Sequence, residues 1–262
     1  MKKGLTGFQI KIIGVITMVF DHVGEFIMVA PTWFHWIGRV TAPIFLFESS
    51  EGFVHTSNRK KYMMRLLIGF WGMGILTTIL NKYFAAENQA IVNNIFSTLF
   101  LGTVYMQACE YFKIGFKNKQ IKVIGKGLLF FLTPILTTIG IIILMSGNIQ
   151  SHLTFFKLYV LLIPNLAIVE GGFLFVVLAV LFYLFHGHKV GQIISLIVIG
   201  GISLFANGLD AAFTTNYQWM MIFASIPIIL YNGEKGKGMR NFFYFFYPIH
   251  IAVLAIIGFY IN

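Results

Sequence analysis

The chain has 262 residues, of which 58% are hydrophobic, 17% aromatic and only 11% charged. A soluble domain carries about 25% charged residues, and a chain this apolar would expose large greasy patches to water; a soluble globular enzyme and a disordered protein are both excluded. Lys and Arg number 19 against 9 Asp and Glu, a net charge of +10, which in a membrane protein reflects basic cytoplasmic loops and calls for no nucleic-acid partner.

The expected fold is all-α, a polytopic transmembrane bundle of about nine to ten spans with a cytoplasmic N-terminus, forming a single domain over 1–262. A span needs roughly 20 mostly apolar residues. In chain order the spans fall at about 7–29, 34–54, 62–81, 92–112, 123–146, 168–185, 190–208, 217–231 and 241–261. The stretch from Gly147 to Pro164 reads as a tenth span or as a re-entrant or interfacial piece. Met1-Lys2-Lys3 resembles the start of a signal peptide, but the following span carries Asp21 and His22 and lacks a small-x-small cleavage site, so it is expected to be retained. Lys2, Lys3, Arg59, Lys60, Lys61, Lys113, Lys117, Lys119 and Lys122 fall inside by the excess of positive charge. If 148–164 does not span, Lys189, Lys235, Lys237 and Arg240 also fall inside, and this nine-span arrangement is the favoured one. The expected location is the cytoplasmic membrane of a bacterium. Cys109 is the one cysteine, so an internal disulfide is impossible.

Ionisable groups within spans are expensive, so each needs an explanation. In the first span Lys11, Gly14, Met18, Asp21 and Glu25 follow one another at helical spacing and form one stripe, with His22 on its border. The second span carries His35, Arg39, Glu48 and Glu51. On a continuous helix Arg39, Pro43 and Ser50 share a face that excludes Glu48 and Glu51, and one carboxylate is free to meet Arg65. Asn93, Asn94, Glu170, Asn207 and Asp210 lie toward the outer side, and His250 sits in the last span just after Pro248, with Tyr247 beside it. Together with Asp21, His22 and Arg39 they are candidates for an outward polar cavity. His186-Gly187-His188 has the look of a metal pair but lies in a loop without acidic or cysteine neighbours in sequence, so no metal site is expected. His55 and His152 read as interfacial.

The ordered motifs resemble the TraX family of membrane proteins. They are the run from Lys11 through Asp21-His22 to Gly24, Trp36-Ile-Gly-Arg39 to Pro43, Glu51-Gly52-Phe53, Arg59 to Arg65, Asn94 to Leu99, Leu230-Tyr-Asn-Gly-Glu-Lys-Gly236, and Phe246-Tyr-Pro-Ile-His250. The match covers nearly the whole chain apart from about 113–165. The family's namesake is implicated in N-terminal acetylation of conjugative pilin, which implies a membrane acetyltransferase. A more distant resemblance is to the membrane acyltransferase three family, in which a basic residue precedes a first-span histidine by the spacing of Lys11 and His22. That likeness implies acetyl-CoA from the cytoplasm as acyl donor and transfer to an amine or hydroxyl of an extracytoplasmic or membrane-associated acceptor: a pilin-like peptide, a lipid or an envelope sugar.

Chemistry then assigns roles. A basic mouth for the phosphates of acetyl-CoA would draw on Lys11, Arg59, Lys60, Lys61, Arg65 and Lys235, together with Lys237 and Arg240. His22 is the candidate general base, since a neutral imidazole accepts a proton near pH 7. Its orienting group is Glu25, Glu51 or Asp21, unless Asp21 pairs with Arg39; His250 would hold the acceptor or share the proton. The competing reading of the same buried groups is a proton-coupled small-molecule transporter.

Overall fold

The computed structural model describes residues 3–84, 90–146, 153–206 and 208–261, without the side chain of Arg240. Lys2, His152 and Asn207 lie outside the described residues. The fold is all-helical; the only extended pairing among the described residues is an isolated parallel bridge between Leu5 and Tyr231.

Helix α1 (Gly7–Phe26) opens on a capping box, in which Thr6 accepts from the Gln9 backbone and the Gln9 side chain accepts from Thr6. Two further donors of its first turn are satisfied from a distant loop: the Gly7 and Phe8 amides donate to the carbonyls of Glu234 and Lys235 at 2.8 and 3.0 Å. The start of α1 is thereby fixed beneath the 231–239 loop.

The second predicted span is not one helix. It breaks into α2 (Trp33–Gly38) and α3 (Thr41–His55) around Arg39 and Val40. Pro43 has no N–H to donate back to the Arg39 carbonyl, and its ring crowds that carbonyl, so the break falls one turn before it. Gly38 packs against the Asp21 side chain so closely that a Cβ would overlap it, which is why α2 can lie directly on the end of α1. The face shared by Arg39, Pro43 and Ser50 on a continuous helix is therefore not formed.

Helix α4 (Arg59–Tyr83) begins at the N-cap Asn58, whose side chain accepts from the Lys61 amide at 2.8 Å. It is followed by α5 (Ile95–Lys117), α6 (Ile121–Ser146) and the short α7 (Leu153–Leu162). Ten residues of α7 extend about 15 Å, half of the roughly 30 Å hydrocarbon core. It is tied to its neighbours through Trp71, which donates to the Leu162 carbonyl at 2.9 Å, and Tyr159, which donates to the Thr137 carbonyl at 2.7 Å. The chain continues through α8 (Phe173–Leu184), α9 (Lys189–Ala206), a 3-10 segment (Gln218–Ala224) running into α10 (Ser225–Leu230), and α11 (Arg240–Ile261).

Among the described residues five helices are long and apolar enough to cross a membrane: α1, α4, α6, α9 and α11. Together with the broad apolar exterior of α6, where Leu128, Leu129, Leu136, Ile142 and Ile143 are exposed, they make this a membrane protein. Contacts sort the helix ends into two sets. At the basic end, Arg59 meets Glu110, His186 meets Glu51, and Lys189 donates to the carbonyls of Ile229 and Tyr231. At the far end, Asn93 meets Glu25, Arg39 meets Gln218, and Phe84 packs on Phe259.

Candidate functional site

Helix α1 carries the site. Its buried face runs through Gly7, Ile10, Gly14, Met18 and His22. His22 is 5% exposed and lies at the centre of that face, whereas Asp21 stands on its margin; the sequence stripe had the two reversed. That face meets α3 and α11.

Two polar clusters form at the far end. In the first, His22 Nδ1 lies 2.7 Å from His250 Nε2, and His250 Nδ1 lies 2.9 Å from the Phe246 carbonyl. A carbonyl only accepts, so His250 Nδ1 carries the proton and its Nε2 accepts from His22 Nδ1–H. The lone pair of neutral His22 therefore resides on Nε2, which faces the Glu25 carboxylate at 3.9 Å. Glu25 is held by Asn93, whose Nδ2 donates to both carboxylate oxygens at 3.1 and 2.9 Å. Tyr247 packs edge-on against His22, donates to Glu170 Oε2 at 2.8 Å and accepts from the Ile95 amide at 3.3 Å.

The second cluster ties α1 to the α2–α3 break. Arg39 Nη2 donates to Asp21, and Nη1 donates to Gln218 Oε1 at 3.1 Å. His35 Nδ1 lies 3.3 Å from the same Asp21 oxygen, and the His35 ring stacks on Tyr217. Asp21 thus belongs to Arg39 and His35, while His22 belongs to His250. Asn94 donates to the Phe70 carbonyl, and Asp210 is exposed; neither joins these clusters.

At the basic end a cavity of about 680 Å³ opens between α1, α3, α4, α5, α11 and the 235–239 loop. Lys11, Arg65, Lys235 and Lys237 line it, with Phe45, Phe96, Phe242, Phe243 and Tyr244 supplying apolar and aromatic wall. Its lining reaches Met18, one turn before His22, and Tyr247. Lys11 is paired with the buried Glu48 at 2.8 Å. Tyr62, also in the wall, lies 3.2 Å from the Ser49 hydroxyl.

Arg59, Lys60 and Lys61, also named from sequence, are not in the lining. Arg59 turns to Glu110 at 3.2 Å and stacks over Phe53; Lys60 and Lys61 are exposed at the start of α4. Glu51 neither reaches His22 nor pairs with Arg65. It meets His186 Nδ1 at 2.8 Å, while Arg65 lies over Tyr62 and donates to the Lys61 carbonyl. The loop histidine His186 therefore does have an acidic neighbour, contrary to the reading from sequence. Glu48 was named from sequence only as an alternative partner for Arg65, and Gln218 was not named at all. For Glu48 a signal existed, because it and Lys11 sit at similar depth from the basic ends of their helices; for Gln218 the sequence offers none.

A family model described as TraX protein matches residues 6–258. A probable fimbrial assembly protein, FimC of serogroup H1, from Dichelobacter nodosus is 25% identical over 263 residues, covering 95% of this chain and 94% of that protein. An uncharacterized protein of Rickettsia prowazekii (strain Madrid E) is 28% identical over 157 residues, covering 56% of this chain and 57% of that protein. No solved structure matches the chain.

Proposed function

This chain belongs to the TraX family, and from that premise we propose that it is a membrane acetyltransferase: it takes an acetyl group from cytoplasmic acetyl-CoA and passes it to an amine or hydroxyl on an extracytoplasmic or membrane-associated acceptor. The observation that carries this reading is the cavity, whose lining runs from Lys11, Arg65, Lys235 and Lys237 along aromatic walls to Tyr247, which packs edge-on against His22 of the His22–His250 pair. The relative named as a probable fimbrial assembly protein favours a pilin-like peptide among acceptors that also include lipids and envelope sugars. The distant likeness to the membrane acyltransferase three family, seen in the Lys11–His22 spacing, is part of the same proposal.

The basic end is assigned to the cytoplasm of a bacterial cytoplasmic membrane because the Lys and Arg of the inner loops gather there. The two sets of helix ends are then joined by nine crossings, with α7 lying toward the outer side and not adding a tenth. Lys11, Arg65, Lys235 and Lys237 hold the phosphates of acetyl-CoA as charge-assisted hydrogen-bond donors. The acyl arm lies along Phe45, Phe96 and Phe243 toward Met18 and Tyr247.

His22 Nε2, with its lone pair turned toward Glu25 at 3.9 Å, takes the proton from the acceptor as the acceptor's nitrogen or oxygen attacks the thioester carbonyl. The C–S bond breaks, and the imidazolium gives its proton to the departing thiolate, which leaves as the thiol of CoA into the basic cavity. His250 fixes the tautomer that leaves Nε2 unprotonated. Arg39 and Asp21 lock α2 onto α1 and so hold the outer approach to His22 in place.

Binding and turnover of radiolabelled acetyl-CoA by detergent-purified protein test the reading. Saturable binding and slow deacetylation, the latter lost in His22→Ala, are expected. A folded sample that fails to bind at millimolar acetyl-CoA, yet carries substrate-dependent proton flux in vesicles, would turn the assignment to transport.

A further inference from the structure

Three metal-ligand side chains meet at the basic end, one helical turn along α3 from Glu48, the partner of Lys11. Glu51 and His55 are one helical turn apart at the end of α3, and His186 comes from the turn between α8 and α9. Their potential ligand atoms all lie within 4.8 Å of one another. The His186 Nδ1 atom is 2.8 Å from Glu51 Oε1, and His55 Nδ1 is 3.9 Å from Glu51 Oε2. The two imidazole rings are 5.4 Å apart at 73°, edge to face.

We propose that Glu51, His55 and His186 form a divalent transition-metal site, with zinc the best-matched ion, that clips the end of α3 to the α8–α9 turn.

Two imidazoles and one carboxylate are a donor set for zinc and its neighbours rather than for calcium or magnesium, which need more oxygen ligands. A tetrahedral zinc ion with ligand bonds of about 2.0–2.1 Å places its donors about 3.3 Å apart. His55 Nδ1 lies 2.9 Å from the Glu51 carbonyl, which leaves Nε2 as its ligand atom, and the ring is 63% exposed, so closing to that spacing asks for a side-chain adjustment at the solvent-facing member of the set. The carboxylate is already placed: Glu51 is 8% exposed and, among the described residues, meets no Lys or Arg within ion-pair distance. His186 is also placed, since Gly187 takes a positive φ of 78° and His188 accepts from the Gly191 amide at 3.0 Å, closing the turn that presents it. The exposed side of the site leaves a fourth position for water. The site is separate from the acetyl-CoA cavity and the inference does not rest on acetyl transfer.

Equilibrium dialysis against zinc, with protein purified through a tag other than polyhistidine, tests the proposal. One saturable equivalent is expected, with affinity reduced at least about tenfold in both His186→Ala and His55→Ala and unchanged in Lys60→Ala, whose exposed side chain is no part of the cluster. Cobalt substitution should give the intense visible bands of a tetrahedral site in the wild type only. Zinc should raise the melting temperature of the wild type and leave both variants unmoved. Should an alanine variant melt early without metal, His186→Gln and His55→Asn take its place. No saturable binding, or equal zinc affinity in wild type and variants of matched stability, overturns the site.

Discussion

Helices α1 and α6 are both long enough to cross a membrane, yet they are built on opposite terms. On α1 the ionisable groups are answered from other segments: Lys11 by Glu48, Asp21 by Arg39 and His35, His22 by His250, and Glu25 by Asn93. Helix α6 carries Lys122 and Lys126 in its first two turns and no charge beyond them, and only Gly127, Pro134 and Ile141 are buried. The first helix is specified residue by residue, because an unmatched charge in hydrocarbon is costly. The sixth is specified by length and hydrophobicity, and many sequences would serve.

The sharpest way to break this comparison is His22→Ala. If the α1 stripe is catalytic, acetyl transfer falls by at least about a hundredfold, while acetyl-CoA binding by the folded protein is nearly unmoved. His250→Ala leaves Nε2 in place and loses only the tautomer control, so a smaller loss of about tenfold is expected. Full activity in His22→Ala would reduce the stripe to helix packing. Arg39→Met should act on stability instead. It strands Asp21 beside His35 alone and costs about 2–3 kcal/mol, less than a fully buried pair because both side chains are partly exposed. Pairing it with Asp21→Asn should recover much of that loss in a denaturation series.

Cavity residues lie lower on the scale. Lys235→Ala and Lys237→Ala remove exposed phosphate donors, each worth about 1 kcal/mol at most. Each should raise the acetyl-CoA dissociation constant about fivefold and leave the rate at saturation unchanged. Lys60→Ala, whose side chain is outside the cavity lining, should change neither quantity.

Much of the fold was legible because hydrophobic length carries it. Helix α11 matches its expected segment to within one residue, and α4 runs two to three residues past its segment at each end. The break at Arg39 was missed although its cause, Pro43, is in plain view, because span reading by hydropathy ignores a missing N–H. The partners within the site were legible only where chemistry forces a choice. Asp21 with Arg39 was one open pairing; His22 with His250 required two helices 228 residues apart to meet, which no local pattern reveals. The Glu51–His186 contact was missed for the same reason. His186 looked unaccompanied because its acidic neighbour comes from another helix.

The smallest predicted effects separate the two helices most cleanly. Thr17 and Thr41 share a buried hydroxyl contact at 2.8 Å between α1 and α3, and Thr17 also donates to the Gly14 carbonyl at 3.1 Å. Thr17→Val keeps the shape and removes both bonds. Interhelical hydrogen bonds in membranes average about 0.6 kcal/mol, so the variant should be destabilised by about that amount. Leu136 on α6 is 62% exposed, and Leu136→Ile conserves its volume on a lipid-facing surface. Its effect should fall within about 0.5 kcal/mol of zero, and stay there when combined with Thr17→Val, since the two sites share no contact and their effects add. A Leu136→Ile cost as large as that of Thr17→Val would mean that α6 packs against a surface, such as a second copy of the chain, rather than against lipid.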